Sequence, residues 1–140
     1  MGLHEAHHEE IDAQASCLLI TQLTCSLVGQ TQTITLAPGS RVHHICKAET
    51  ISTHYFCNYG LNPAFHDTLA QSELAITGVG AKGEVRVIEL PHHRFFLVTL
   101  FLPQVASTPE QPDPIIVAYL EAAKAFQGAT VRGRLRLPTV

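Results

Sequence analysis

The chain has 140 residues, of which 46% are apolar and 15% are charged, and its formal net charge is -3. This length suits one domain, and the slightly negative charge gives no electrostatic reason to expect nucleic acid or an anionic membrane as a partner. No apolar run approaches the about 20 residues that cross a bilayer, and the N-terminus lacks the order of a secretory signal, so we expect a cytoplasmic protein.

The first half of the chain alternates short strand and helix signals. Residues 1–16 show no sustained apolar face, and we predict a poorly ordered segment there, followed by a strand over 17–23. An antiparallel excursion over 26–36 is followed by one or two helical turns over 41–48, with Ser40 as N-cap. A strand over 51–59 precedes a short helix through Ala70, with Asn62 as N-cap and Pro63 as the first helical position.

The second half carries a hairpin, a buried strand and the clearest helix. Glycines 78, 80 and 83 predict the turn of a hairpin between strands at 74–77 and 84–90. The segment 95–101 (FFLVTLF) is apolar at every position but Thr99, which is typical of a central strand covered on both faces. Asp113 and Pro114 start a helix with apolar residues at helical spacing, and Gly128 is expected to stop it. Residues 131–137 are interpreted as a tail or an edge strand, and the whole order predicts an α/β or α+β layer structure.

Histidines and cysteines suggest no site of their own. His4 and His8 fit H-E-x-x-H, but they lie at the start of the chain without a third ligand at a recognisable spacing. We interpret this segment as solvated, with adventitious metal binding as the alternative. The four cysteines form no Cys-x-x-Cys pair and none sits on a sharp turn beside a base, so we interpret them as reduced, mostly packed thiols, with disulfides as the alternative. No cofactor is predicted.

Several segments together resemble one family. FFLVTLFLPQVASTPEQPDPIIVAYLEAA (95–123) is similar to the end of class I glutamine amidotransferase domains, in which a buried strand runs into His-Pro-Glu and a Pro-capped helix. The segments HYFCNYGLNPAF, VRVIELPHHRFF and ITQLTCSLVGQTQTITLAPGSRV are similar, in the same order, to CTP synthase C-terminal regions. The chain therefore resembles the CTP synthase C-terminal region-related proteins, some of them selenoproteins.

The resemblance implies a fold and three domain segments. The expected fold is α/β, a partial class I glutamine amidotransferase-like (flavodoxin-like) layer with an antiparallel hairpin excursion. The expected segments are a poorly ordered N-terminal part (1–16), a partial amidotransferase-like domain (17–128) and a C-terminal tail (129–140).

The resemblance also implies a catalytic group, from which this chain departs. In the family, a cysteine on a G-x-C-x-G elbow attacks the amide of glutamine, the histidine of His-Pro-Glu acts as base, and the glutamate orients it. The histidine position falls on Leu102, the proline on Pro103 and the glutamate on Gln104. The family's Arg-His-Arg-Tyr-Glu-Val-Asn stretch keeps only Tyr59 and Asn62. The segment that would carry the elbow is expected to precede Met1. Two explanations for its absence from this sequence are decay of the gene and an in-frame selenocysteine codon that was taken for a stop.

Three hypotheses for function follow. The first is an amidotransferase-like, CTP-synthase-related protein of pyrimidine nucleotide metabolism that does not hydrolyse glutamine as given, a pseudoenzyme. The second is the C-terminal half of an active amidotransferase or thiol/selenol enzyme, with His54 or His66 as an unorthodox base. The third is a small homodimeric binding or structural module. The expected partners are an N-terminal half, a second copy or a glutamine-like small molecule.

Overall fold

The computed structural model describes residues 3–134, and it contains two sheets and four helices. The strands are β1 (His7–His8), β2 (Leu18–Gln22), β3 (Gln30–Leu36), β4 (Thr50–Tyr55), β5 (Tyr59–Leu61), β6 (Ala75–Val79), β7 (Val85–Glu89) and β8 (Leu97–Thr99). The helices are α1 (Arg41–Cys46), α2 (His66–Ala70), α3 (Pro103–Ala106) and α4 (Pro114–Arg134), and a 3-10 turn (Pro63–Phe65) precedes α2. Among the described residues, no helix is long and apolar enough to cross a membrane.

The larger sheet is antiparallel and has the strand order β4-β3-β6-β7-β8. The smaller sheet has the order β1-β2-β5, in which β1 runs parallel to β2 and β5 antiparallel to it. The predicted α/β class with an antiparallel hairpin is confirmed. The turn between β6 and β7 uses Gly83 at φ 82, a left-handed conformation that favours glycine.

The core lies between the larger sheet and the helices α1 and α4. Ile34, Leu36, Tyr55 and Val87 on the strands are at most 1% exposed, and Val42 of α1 is fully buried. Ile115, in the first turn of α4, joins the same cluster. The apolar positions of the sheet and of α1 thus bury one another, as a layered domain requires.

Two local predictions are confirmed by the caps that the structure shows. Ser40 Oγ accepts a hydrogen bond from His43 N (3.2 Å) at the start of α1. Asp113 Oδ1 accepts one from Ile115 N (2.8 Å) at the start of α4. Both caps are short side chains with an oxygen two or three residues before the N–H group that they satisfy, so the sequence alone identifies them.

The strand predicted over 51–59 is wrong as one element. The structure divides it into β4, which pairs with β3, and β5, which pairs with β2 in the other sheet. A β-branched and aromatic run favours extended backbone throughout, but it does not specify where the chain leaves one sheet for another.

The strand β1 lies within the segment 1–16 that was predicted to be poorly ordered. His7 N donates to Cys17 O (2.8 Å), Glu9 N donates to Ile20 O (3.0 Å), and Glu9 Oε2 accepts from Gln22 N. This backbone pairing with β2 is independent of an apolar face, which is why the composition of the segment did not indicate it.

The predicted end of α4 at Gly128 is also wrong, because the helix continues to Arg134. A glycine inside a helix costs only about 1 kcal/mol relative to alanine, so it does not stop a helix by itself. The alternative of an edge strand over 131–137 is wrong for 131–134, which are helical, and 135–140 lie outside the described residues.

The segment predicted as a central strand forms the end of the larger sheet. Only Leu97–Thr99 is regular strand, and it pairs with β7 on one side. Val98 is 48% exposed, so the prediction of cover on both faces is wrong for the described residues. The apolar composition of FFLVTLF is typical of a strand with neighbours on both sides. Within residues 3–134, however, no strand pairs with the outer edge of β8.

Candidate functional site

The predicted site positions Leu102, Pro103 and Gln104 lie where β8 ends and α3 begins. Leu102 is the residue before the helix, its φ and ψ are -110° and 92°, and its backbone N donates to His54 O (3.1 Å). Pro103 occupies the first turn of α3, where its missing N–H costs nothing. Leu102 and Pro103 are partly buried, and the Gln104 side chain is exposed.

A cleft of about 280 Å³ lies beside Leu102. Its walls come from four separate parts of the chain, namely the end of α1, the strand β4, the segment from β8 into α3, and the start of α4. The residues that matter chemically are Cys46, Thr53, His54, Leu102 and Asp113. Its other walls are largely apolar, as in most small-molecule pockets.

The thiol of Cys46 is held in its protonated form. Burial and, secondly, the nearby carboxylate of Asp113 raise the pKa of Cys46 to about 11. Both effects disfavour the thiolate, which is the nucleophilic species of cysteine. Cys46 therefore lines the cleft as a weakly polar wall and lacks the electropositive setting of a catalytic cysteine.

This protonation state gives a measurable prediction. We expect iodoacetamide to modify exposed Cys25 well before Cys46 at pH 7.5, and the rate at Cys46 to rise about tenfold per pH unit from 8 to 10. Peptide mass spectrometry against time measures both rates. Asp113→Asn keeps an oxygen at the cap of α4 and removes the negative charge, so it should speed the reaction of Cys46. Equal rates at Cys25 and Cys46 near neutral pH would contradict this account.

The two histidines proposed as alternative bases lie in different surroundings. His54 is on β4, where its carbonyl accepts from Leu102 N and its Nδ1 is 2.9 Å from Thr31 Oγ1. His66 begins α2, which packs on β6, and its Nδ1 is 3.8 Å from Asp67 Oδ1. The structure thus brings the backbone of His54 into contact with Leu102, and His54, unlike His66, is among the residues that line the cleft.

The side chains of the motif positions Tyr59 and Asn62 make contacts that stabilise the local fold. Asn62 Oδ1 accepts from Ala64 N (3.0 Å), and its Nδ2 donates to Leu18 O (2.9 Å). The residue therefore caps the 3-10 turn before α2 and ties it to β2. The ring of Tyr59 lies 5.0 Å from that of His8, between centroids.

The H-E-x-x-H match does not lie on a helix, because His7 and His8 form the strand β1. His8 Nδ1 accepts a hydrogen bond from Glu10 N (3.2 Å). Within residues 3–134, no group of three or more His, Cys, Asp or Glu side chains is placed to hold a metal ion. The helical spacing on which a His4 and His8 metal site depends is therefore not realised in the described part of the chain.

Comparison with known proteins connects this geometry to one family. No family model matches the chain. It is 32% identical over 134 residues to the CTP synthase of Sulfolobus acidocaldarius, a match that covers 89% of this chain and 25% of that protein. The CTP synthase of Chlamydia trachomatis serovar D is 32% identical over 92 residues, covering 65% of this chain and 17% of the relative.

The chain is homologous to the glutamine amidotransferase domain of CTP synthases. Its fold matches the glutaminase domain of Trypanosoma brucei CTPS, solved with bound acivicin, with a TM-score of 0.80 and 23% identity. That match covers 89% of this chain and 52% of the solved one. A putative GMP synthase component from Thermoplasma acidophilum has the same fold at a TM-score of 0.59 and 11% identity, covering 79% and 51% of the two chains.

This homologue of CTP synthase spans about a quarter of the length of the curated relatives that it matches. It corresponds to about half of the solved glutaminase domain. The resemblance read from 95–123 is thereby confirmed at the level of the family, whereas the roles assigned to single site residues stay predictions.

Sequence reasoning missed the cleft residues Cys46, Thr53 and Asp113. Asp113 was predicted only as a helix cap, and the two others carried no signal for a site. The four walls are separated by long stretches of chain, so no local pattern places them together. The family motif indicated Leu102 and Pro103 of this lining in advance.

Proposed function

We propose that this chain is a CTP-synthase-related, glutamine amidotransferase-like module that does not hydrolyse glutamine by itself. The observation that carries the proposal is Leu102, which stands at the end of β8 where the family resemblance places the catalytic histidine. An aliphatic side chain can neither accept nor donate the proton that amide hydrolysis requires. Gln104 offers a neutral amide where a carboxylate would orient and stabilise an imidazolium.

The remaining candidate groups near Leu102 support the same proposal. Cys46, in the adjacent cleft, is protonated because of its raised pKa. His54 approaches Leu102 through its backbone, and its Nδ1 lies at hydrogen-bonding distance from Thr31 Oγ1. A nucleophile and base acting together need a direct hydrogen bond of about 2.6–3.2 Å, and the described residues show no hydrogen bond between a cysteine and a histidine side chain.

One observation favours a second candidate function. His54 lines the cleft beside Leu102, and its carbonyl oxygen accepts a hydrogen bond from Leu102 N (3.1 Å). In this second candidate function, the chain would be the C-terminal half of an amidotransferase or thiol/selenol enzyme in which His54 replaces the usual base. His66 has no corresponding contact.

The test is ammonia release from glutamine by the purified chain, with the Sulfolobus acidocaldarius CTP synthase as the positive control. We expect release at the level of heat-inactivated protein, and the same result for His54→Gln and His66→Gln. Saturable release by the wild-type chain would contradict the proposal. If His54→Gln alone abolished such release, the second candidate function would replace it.

A further inference from the structure

The cleft beside Leu102 runs along the open edge of β4. Leu36 N donates to Glu49 O (2.8 Å) in the register of the β3 and β4 pair, so alternate residues of β4 bond to β3, and Ser52 and His54 direct their backbone groups the other way. His54 O agrees with this direction, because it accepts from Leu102 N (3.1 Å). Among residues 3–134, no backbone N–H donates to Ser52 O, so this carbonyl group is an open acceptor at the cleft.

Asp113 supplies a fixed negative charge to the same cleft. Its Oδ1 accepts from Ile115 N (2.8 Å), and its backbone N donates to Ser107 Oγ (3.0 Å), so the carboxylate is held at the start of α4. Within the described part of the chain, no ion pair involves Asp113 and no hydrogen bond reaches its Oδ2. One carboxylate oxygen is therefore available to a ligand.

The electrostatic setting of the cleft favours a cation over an anion. Burial and, secondly, the negative charge of Asp113 raise the pKa of Cys46 to about 11, so the field of the carboxylate reaches the thiol. A field that disfavours a thiolate also disfavours a carboxylate or phosphate ligand, and it favours an ammonium group. An ammonium group has three N–H donors, for which Asp113 Oδ2 and Ser52 O are acceptors.

The remaining walls of the cleft suit a small apolar body. The volume of about 280 Å³ lies near the lower end of the roughly 300–1,000 Å³ that is usual for ligand pockets. Phe101, Pro103, Ala106 and Ile115 line this part of the cleft. The ligand is thus expected to be smaller than a drug-sized molecule and to carry its charge at one end.

We propose that this cleft binds a small primary amine, in which the ammonium group pairs with Asp113 and the apolar body fills the space between β4 and the starts of α3 and α4. A carboxylate beside the amine would be repelled by Asp113, so free amino acids are disfavoured. The inference goes beyond the proposed function and does not depend on it, because the amine is bound and not hydrolysed. The glutamine assay tests the proposed function alone.

The experiment titrates the isotope-labelled chain with three probes that share a phenyl body, and follows the backbone amide signals by NMR at neutral pH. Phenethylamine carries the ammonium group, phenethyl alcohol replaces it with a hydroxyl, and phenylalanine adds a carboxylate. We expect phenethylamine to shift the signals of Cys46, Ser52 and His54 saturably. Its Kd should be at least about tenfold lower than the Kd of either other probe, since a charge-assisted hydrogen bond is the stronger kind.

Three variants test the assignment of the cleft. Asp113→Asn keeps an oxygen for Ile115 N and removes the charge, so its affinity for phenethylamine should fall to that for phenethyl alcohol. Asp67→Asn makes the same substitution outside the cleft, at a side chain that is 94% exposed, and should change nothing. Ala106→Phe places a ring in the cleft and should weaken phenethylamine and phenethyl alcohol alike. Circular dichroism checks that each variant is folded.

Any of three results would overturn the proposal. The first is a titration in which phenethylamine leaves the signals of the cleft residues unchanged. The second is equal affinity for phenethylamine and phenethyl alcohol in the wild-type chain. The third is an Asp113→Asn variant that still prefers the amine. If Asp113→Asn does not fold, unchanged binding of phenethylamine to Ala106→Phe is the result that counts against the cleft.

Discussion

Replacing Glu89 with alanine is expected to destabilise the protein by about 3–5 kcal/mol, because a buried carboxyl group and two hydrogen bonds are lost together. Glu89 ends β7 and is 3% exposed. Its Oε2 accepts from Arg41 N (3.0 Å) and its Oε1 accepts from Val42 N (2.8 Å). These are first-turn N–H groups of α1, which have no partner within the helix.

Glu89 and Ser40 therefore both accept hydrogen bonds from the N–H groups in the first turn of α1. Ser40 satisfies His43 N, and Glu89 satisfies the two preceding N–H groups. Alanine at position 89 would leave two N–H groups without an acceptor, one of them on fully buried Val42. Glutamine keeps the length and one carbonyl oxygen, so Glu89→Gln should cost less, about 1–2 kcal/mol.

Urea denaturation followed by circular dichroism measures these changes in the free energy of unfolding. Glu73→Ala, at a position outside the core, is the matched control and should lie within about 0.5 kcal/mol of the wild type. A Glu89→Ala variant as stable as Glu73→Ala would show that the carboxyl group does not hold α1. If Glu89→Ala does not fold, Glu89→Gln takes its place in the comparison. A lower free energy of unfolding for Glu89→Gln than for Glu73→Ala would then show that the carboxyl group holds α1.

The contrast between Ser40 and Glu89 shows which part of the fold the sequence specifies locally. Ser40 lies three residues from the N–H that it caps, so its role follows from a short pattern. Glu89 acts on the same turn from the far side of the hairpin, and only the tertiary fold brings it there. Sequence reasoning consequently predicted α1 but not the side chain that anchors it.

The strand β8 shows a second limit of prediction from sequence. Its composition correctly indicates a strand with apolar side chains, but the number of neighbouring strands depends on the rest of the sheet. The helix α4 shows a third, since Asp113 determines its start through a local hydrogen bond whereas Gly128 does not determine its end. Propensity is a weaker signal than a cap that a side chain completes.

The candidate site was predictable only as far as the family motif reaches. The motif placed Leu102, Pro103 and Gln104 after a buried strand, and in the structure they follow β8. The short helix α3, which begins at Pro103, was not predicted, because the segment after the strand was interpreted as a loop. The cleft beside them was not predictable, because Cys46 and Asp113 join Leu102 from elements that are distant in the sequence.

The proposed loss of glutamine hydrolysis predicts a large effect when this chain's residues are transferred to a CTP synthase. In the CTP synthase of Sulfolobus acidocaldarius, the residues aligned with Leu102 and Gln104 are to be replaced by leucine and glutamine. Removing a catalytic base and its orienting acid typically costs at least about 10³-fold in turnover, since the members of such a group act as a unit. Alanine at the position aligned with exposed Val105 is the control and should change the rate little.

Ammonia release from glutamine by this doubly substituted relative is the most direct measurement of whether Leu102 and Gln104 are compatible with hydrolysis. We expect a loss of about 10³-fold or more, with the fold retained as judged by circular dichroism. Turnover within about tenfold of the unsubstituted relative would contradict the account, because leucine and glutamine at these positions would then not prevent catalysis.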